Sequence, residues 1–256
     1  MFGKKIPLFK LFGFEVGFDW TWFFLVILIT WSLASGLFPQ LYKDFSASTY
    51  WIMGASGALG LFLSIVLHEL GHSVVARSFG MDMRGITLFI FGGVAEMKDE
   101  PPSAKAEFYV AIAGPIVSVL LGLLLIGLTL LSGTVGLPTP ADGVLRYLGI
   151  INLVLVAFNI IPAFPLDGGR VLRAIIWHLT GDLRRASRVT SEIGSGFGLV
   201  LITLGVFSVI FGNFIGGVWW FILGMFLRGA ARMSYEQVLM RRALEGEPIS
   251  RFMTEE

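Results

Sequence analysis

Apolar residues run along this chain in long blocks rather than in strict alternation. Four blocks, Trp20–Phe38, Trp51–Ala76, Phe108–Leu131 and Tyr147–Leu166, are almost free of charge. Each is near the roughly 20 residues that a helix needs to cross a hydrocarbon core of about 30 Å. A fifth block, Ile193–Leu227, holds 35 uncharged residues. As one helix it would reach about 50 Å, too long for a single crossing. Gly212-Asn213 near its middle predicts a hairpin of two helices instead. The pattern therefore predicts an all-α polytopic membrane protein with about six transmembrane helices. One segment breaks the style. Gly85–Met97, between the second and third spans, is β-branched and aromatic, is interrupted by Gly92-Gly93, and is too short to span as a helix. It predicts strands or a hairpin, a small membrane-associated β element. Backbone of that kind at membrane depth must be covered by protein or line a cavity.

Composition agrees. Hydrophobic residues make up 55% and charged residues 14% of the 256, against about a quarter charged in an ordinary soluble domain. Mean hydropathy is +0.79. The basic residues give the topology. Counted over six spans, every Lys and Arg except Lys43 and Arg146 falls on one side of the membrane. The positive-inside rule makes that side, with both termini, cytoplasmic. Net charge is +1, which offers no argument for nucleic acid, and none is expected as a partner. No cleavable signal is expected before the first span. There is no cysteine, so disulfides, thiol nucleophiles and thiolate zinc ligands are excluded.

The second span carries the chemistry. His68-Glu69-Leu70-Gly71-His72 follows the apolar run Gly60–Leu67 directly. Ionisable groups at membrane depth are costly and mark function. Residues four apart on a helix face the same way, so both imidazoles suit one Zn²⁺. Glu69 is placed to act as general base toward water. The competing reading is a buried helix whose polar groups satisfy one another. A catalytic zinc takes three protein ligands. Few acids lie at membrane depth, and Asp167, in Asn159-Ile-Ile-Pro-Ala-Phe-Pro-Leu-Asp-Gly-Gly169, is the candidate. Pro162 and Pro165 break the helix there. Depth agrees, because His68 falls 17 residues after Trp51 and Asp167 20 after Tyr147, on spans running the same way. The alternative for Asp167 is a helix N-cap or a partner of Arg170. His178 has no partner spacing and reads as interfacial. Gly54, Gly57 and Gly60 read as a close helix-packing stripe, and Gly114-Pro115 as a kink with Ser118 one turn on.

These motifs resemble the site-2 protease family of intramembrane zinc metalloproteases (M50), over nearly the whole chain. His68–His72 is similar to the family's first motif, and Asn159–Gly169 to its Asn-x-x-Pro-x-x-Pro-x-Asp-Gly pattern. Ala113–Ser118 is similar to its Gly-x-x-x-small element. The resemblance implies the compact prokaryotic six-helix type. His68, His72 and Asp167 would hold one catalytic Zn²⁺, Glu69 would activate water, and Asn159 would help hold the substrate backbone or its oxyanion. Gly92, Gly93, Val94 and Ala95 would belong to the membrane-associated strand that binds an unwound substrate. The implied partner is a single-pass transmembrane protein, such as an anti-sigma factor or a membrane-tethered transcription factor, within the lipid bilayer of a prokaryotic cell membrane.

Pro248–Thr254 resembles the opening of a CBS domain. The expected division is then a protease domain over 1–240 and a linker with the start of a CBS domain over 241–256. The natural chain is expected to continue into a CBS pair, the natural place for dimer contacts. Two rivals remain, a transporter with broken helices and a metal-bearing scaffold without catalysis. The absence of a clear inverted repeat weighs against the first, and Glu69 against the second.

Overall fold

The computed structural model describes residues 6–11, 13–89, 92–97 and 101–244. The chain divides into two compact units, Met1–Asn159 and Ile160–Glu256. Pro248–Thr254, the stretch that resembles a CBS domain, lies outside the described residues.

The first unit opens with two strands, β1 (Ile6–Leu11) and β2 (Phe14–Phe18). Helix α1 (Thr21–Ser32) passes through a π turn at Leu33–Leu37 into the short α2 (Phe38–Leu41), and together they form one span. The wide turn has a cause. Pro39 brings no N–H to the ladder, and the Phe38 N–H reaches back to the Leu33 carbonyl, the i to i−5 bond of a π turn. The second span, α3 (Ala47–Ser78), starts at Ser46, whose Oγ accepts from the Thr49 N–H at 3.2 Å. After it come β3 (Met83–Phe89) and β4 (Gly92–Met97), the hairpin that the glycine-broken segment predicts. Helix α4 (Ala104–Leu130) is capped by Ser103 and runs on through Pro115. A single turn, α5 (Ser132–Val135), ends at Gly136 in the left-handed region. It leads to α6 (Thr139–Asn159).

The fourth span differs from the expected Tyr147–Leu166. It starts eight residues earlier and stops at Asn159. Pro140 sits in its first turn, where a missing N–H costs nothing. At the other end Pro162 and Pro165 exclude the helical conformation from the residues before them. Arg146, expected beyond the span, is a helical residue of α6.

The sheet has order β1-β2-β3-β4. The outer pairs are antiparallel, and β2 runs parallel to β3 with Val16 opposite Ile86. The N-terminal pair was not expected from the sequence. It docks on α3 beside the motif: Val16 and Phe18 pack on Val66, and Phe14 packs on Leu70, so buried contacts flank His68 on both sides. The Arg77 guanidinium lies 3.8 Å over the Phe14 ring. On the N-terminal half of α3 a Cβ at Gly54 would stand 2.7 Å from the Thr30 carbonyl oxygen, which explains the small-residue stripe as close helix packing.

The second unit begins with the loop 160–166 and α7 (Asp167–Thr180), an amphipathic helix that ends at Gly181 in the left-handed region. Asp182 caps α8 (Leu183–Ile210), its Oδ1 accepting from the N–H groups of Arg184 and Arg185. Gly212, also left-handed, turns the chain into α9 (Phe214–Leu244). The expected hairpin is present, and both helices extend beyond the apolar block. Glycines hold the two backbones close. A Cβ at Gly205 would stand 2.7 Å from the Gly217 carbonyl oxygen, and one at Gly224 2.6 Å from that of Gly198. Near the polar end Ser191 donates to the Ala231 carbonyl at 2.5 Å.

Among the described residues, six helical spans are long and apolar enough to cross a membrane: α1–α2, α3, α4, α6, α8 and α9.

Candidate metal centre

The interior of α3 is unbroken, so His68 and His72 project from the same face one turn apart. Both are buried, at 6% and 4% exposure. Their Nε2 atoms stand 3.2 Å apart. Two nitrogens held about 2.0–2.1 Å from one tetrahedral zinc would be about 3.3 Å apart, so the pair already has the spacing of two ligands.

Helix α4 supplies the support. His72 Nδ1 lies 2.6 Å from the Val110 carbonyl oxygen, and His68 Nδ1 lies 2.9 Å from Ser118 Oγ. Val110, Gly114 and Ser118 are four apart and share a face of α4 that runs antiparallel to the histidine face of α3. A carbonyl oxygen only accepts. His72 must therefore carry its proton on Nδ1, and in the neutral ring the Nε2 lone pair is presented to a metal. An outer partner of this kind is the usual companion of a metal-bound histidine. Between the two contacts Gly114 clears the space in front of the rings. A Cβ there would stand 2.6 Å from both His68 Nε2 and His72 Cε1. The cradle that glycine leaves open, the ligand spacing and the fixed ring of His72 all fit a zinc ion.

Glu69 is half-buried between the two histidines in sequence, and its carbonyl accepts from the Ser73 hydroxyl at 2.8 Å. Asn159 is the last residue of α6 and is half-buried. Gly92, Gly93, Val94 and Ala95 lie on β4 opposite Phe89, Leu88, Thr87 and Ile86. In the second unit Asp167 is the first residue of α7 and is buried, at 8% exposure. Leu166 occupies the cap position with no side-chain cap bond, so Asp167 does not serve as the N-cap. Gly168 and Gly169 are required by the fold of the loop. A Cβ at either would overlap the backbone of Ile160 or of Phe164. His178 is exposed in the last turn of α7.

Sequence reasoning missed the Val110 carbonyl, which has no side-chain signature. It noted Gly114 and Ser118 as a kink with its neighbour and as part of the Gly-x-x-x-small resemblance, without a link to the histidines. Their i, i+4 spacing was the available signal.

The profile of peptidase family M50 matches residues 56–205. A Synechocystis protein that carries a zinc-metalloprotease name is 40% identical over 244 residues, covering 94% of this chain and 62% of the relative. The zinc metalloprotease MJ0392 of Methanocaldococcus jannaschii is 36% identical over 206 residues, covering 80% of this chain and 55% of the relative. This chain thus spans less than two thirds of the length of these curated relatives. Among solved structures, the site-2 protease from Methanocaldococcus jannaschii superposes with a TM-score of 0.60 at 28% identity, covering 90% of this chain and 95% of that one.

Proposed function

This chain belongs to peptidase family M50 and is a multi-pass integral membrane protein, and from that premise we propose that it is an intramembrane zinc endopeptidase. Its substrate is the transmembrane segment of a membrane-bound protein. The observation that carries this reading is the imidazole pair of α3, its Nε2 atoms 3.2 Å apart, within a helix apolar enough to span a membrane.

His68, His72 and Asp167 would hold the ion; each is buried and offers one donor atom. When bound there, zinc supplies Lewis acidity, lowering the pKa of water to about 7 and polarising a carbonyl. Glu69 takes a proton from the attacking water as its oxygen bonds to the scissile carbonyl carbon. It then delivers that proton to the departing amide nitrogen as the C–N bond breaks. The Asn159 side-chain amide donates to the carbonyl oxygen as negative charge develops on it. The burial of both histidines keeps bulk water off their donor atoms.

A helical peptide bond is hidden by its own hydrogen bonds, so the substrate must be extended before attack. The described sheet ends on β4, and an unwound segment can add to that strand by backbone pairing. Gly92 to Ala95 would receive it. With both termini cytoplasmic, as the basic residues argue, the cut falls near the cytoplasmic end of the substrate segment. The outcome is release of a cytosolic factor, such as one sequestered by an anti-sigma factor or a tethered transcription factor.

The test is cleavage of a panel of tagged single-pass proteins by native protein, by Glu69→Gln, and by native protein with a zinc chelator. Cleavage by the untreated native form alone is the expected result. Cleavage that survives both Glu69→Gln and chelation would overturn the reading.

A further inference from the structure

Given that metal centre, we infer that Ser118 is a positioning residue that lets His68 change tautomer when the metal binds, while His72 stays fixed. The two imidazoles rest on chemically different partners. His72 Nδ1 faces a carbonyl at 2.6 Å, which only accepts. His68 Nδ1 faces the Ser118 hydroxyl at 2.9 Å, which both donates and accepts. Ser118 is fully buried, so solvent does not stand in for it.

The Nε2 atoms are 3.2 Å apart. Two lone pairs at that distance repel, so either a proton or a cation must lie between them. His72 holds its proton at Nδ1, toward Val110, and in the neutral ring cannot supply one at Nε2. Before a metal binds, the proton belongs on His68 Nε2, donated to His72 Nε2. The His68 Nδ1 lone pair then accepts from the Ser118 O–H. With a metal bound, the His68 Nε2 lone pair faces the ion. The ring proton sits on Nδ1 and is donated to Ser118 Oγ, whose hydroxyl hydrogen has rotated away. One proton has moved from Nε2 to Nδ1 of the same ring. An acceptor-only partner would support only the metal-bound state. A hydroxyl supports both, and it preserves the orientation of the ring through the change.

The chain has three histidines, so nitrogen-15 histidine spectra of the full chain in lipid are readable, with His178→Gln giving the assignment of the exposed one. The expected result is His68 as the Nε2–H form without zinc and the Nδ1–H form with zinc, and His72 as Nδ1–H in both. Zinc affinity, measured by competition with a chelator, is expected to fall about 10- to 100-fold in Ser118→Ala. Ser118→Thr, which keeps the hydroxyl, should recover most of it. One His68 tautomer in both states of the native protein, or native affinity in a folded Ser118→Ala, would overturn the inference and leave the zinc assignment standing. A native chain that binds no zinc would overturn the zinc assignment and this inference together.

Discussion

Gly114 of α4 stands where any larger residue would strike His68, because a Cβ added there would be 2.6 Å from its Nε2. The glycine leaves open the volume toward which both Nε2 atoms point. Gly114→Ala should lower zinc affinity by at least about 10-fold, the scale of a displaced supporting contact, with a parallel loss of peptide cleavage. Zinc content after dialysis against a weak chelator measures it. Native zinc content in Gly114→Ala would show that the cradle is wider than the structure has it.

Phe14 links the sheet to the histidine-bearing turn of α3. It is almost fully buried against Leu70 and lies beneath the Arg77 guanidinium. Phe14→Ala should cost about 3–5 kcal/mol, the usual range for truncating a buried aromatic. The check is thermal unfolding in detergent. A change in midpoint no larger than that of an exposed substitution such as Phe24→Ala would mean that the strand contributes little.

Gly205 packs its backbone against Gly217 within the α8–α9 hairpin. Gly205→Val forces the two helices apart and should destabilise the protein by about 1–3 kcal/mol, as overpacking does. The histidine pair lies on other helices, so zinc affinity of the folded fraction should be unchanged. Unfolding curves and zinc titrations separate the two effects.

Asp167 is the proposed third ligand, on chemical grounds. Asp167→Ala should reduce bound zinc well below one per chain, while Glu69→Gln should leave it near one. Metal analysis of the purified variants reads this directly. Full zinc in Asp167→Ala would move the third ligand elsewhere.

The spans were legible because lipid exposure demands uninterrupted apolar length, which composition records. His68, Glu69 and His72 were legible because polar groups at that depth have few structural reasons to be there. Three features were not read, each for a physical reason. The β1–β2 pair is held partly by parallel pairing of Val16 with Ile86, a contact across 70 residues that local pattern does not encode, although Phe14-Glu15-Val16 does alternate. The end of the fourth span was placed seven residues late because hydropathy stays high through Ile160–Leu166. The conformational veto of Pro162 and Pro165 outweighs that hydropathy. The Val110 contact is made by a backbone carbonyl, which any residue would supply.

The most direct measurement is the position of the cut. A single-pass substrate is reconstituted with the protein in lipid nanodiscs, and the products are sized by mass spectrometry. The account predicts a bond broken inside the apolar segment, toward its cytoplasmic end, and no product with Glu69→Gln. A cut confined to the extramembrane part of the substrate, or one that persists in Glu69→Gln, would contradict it.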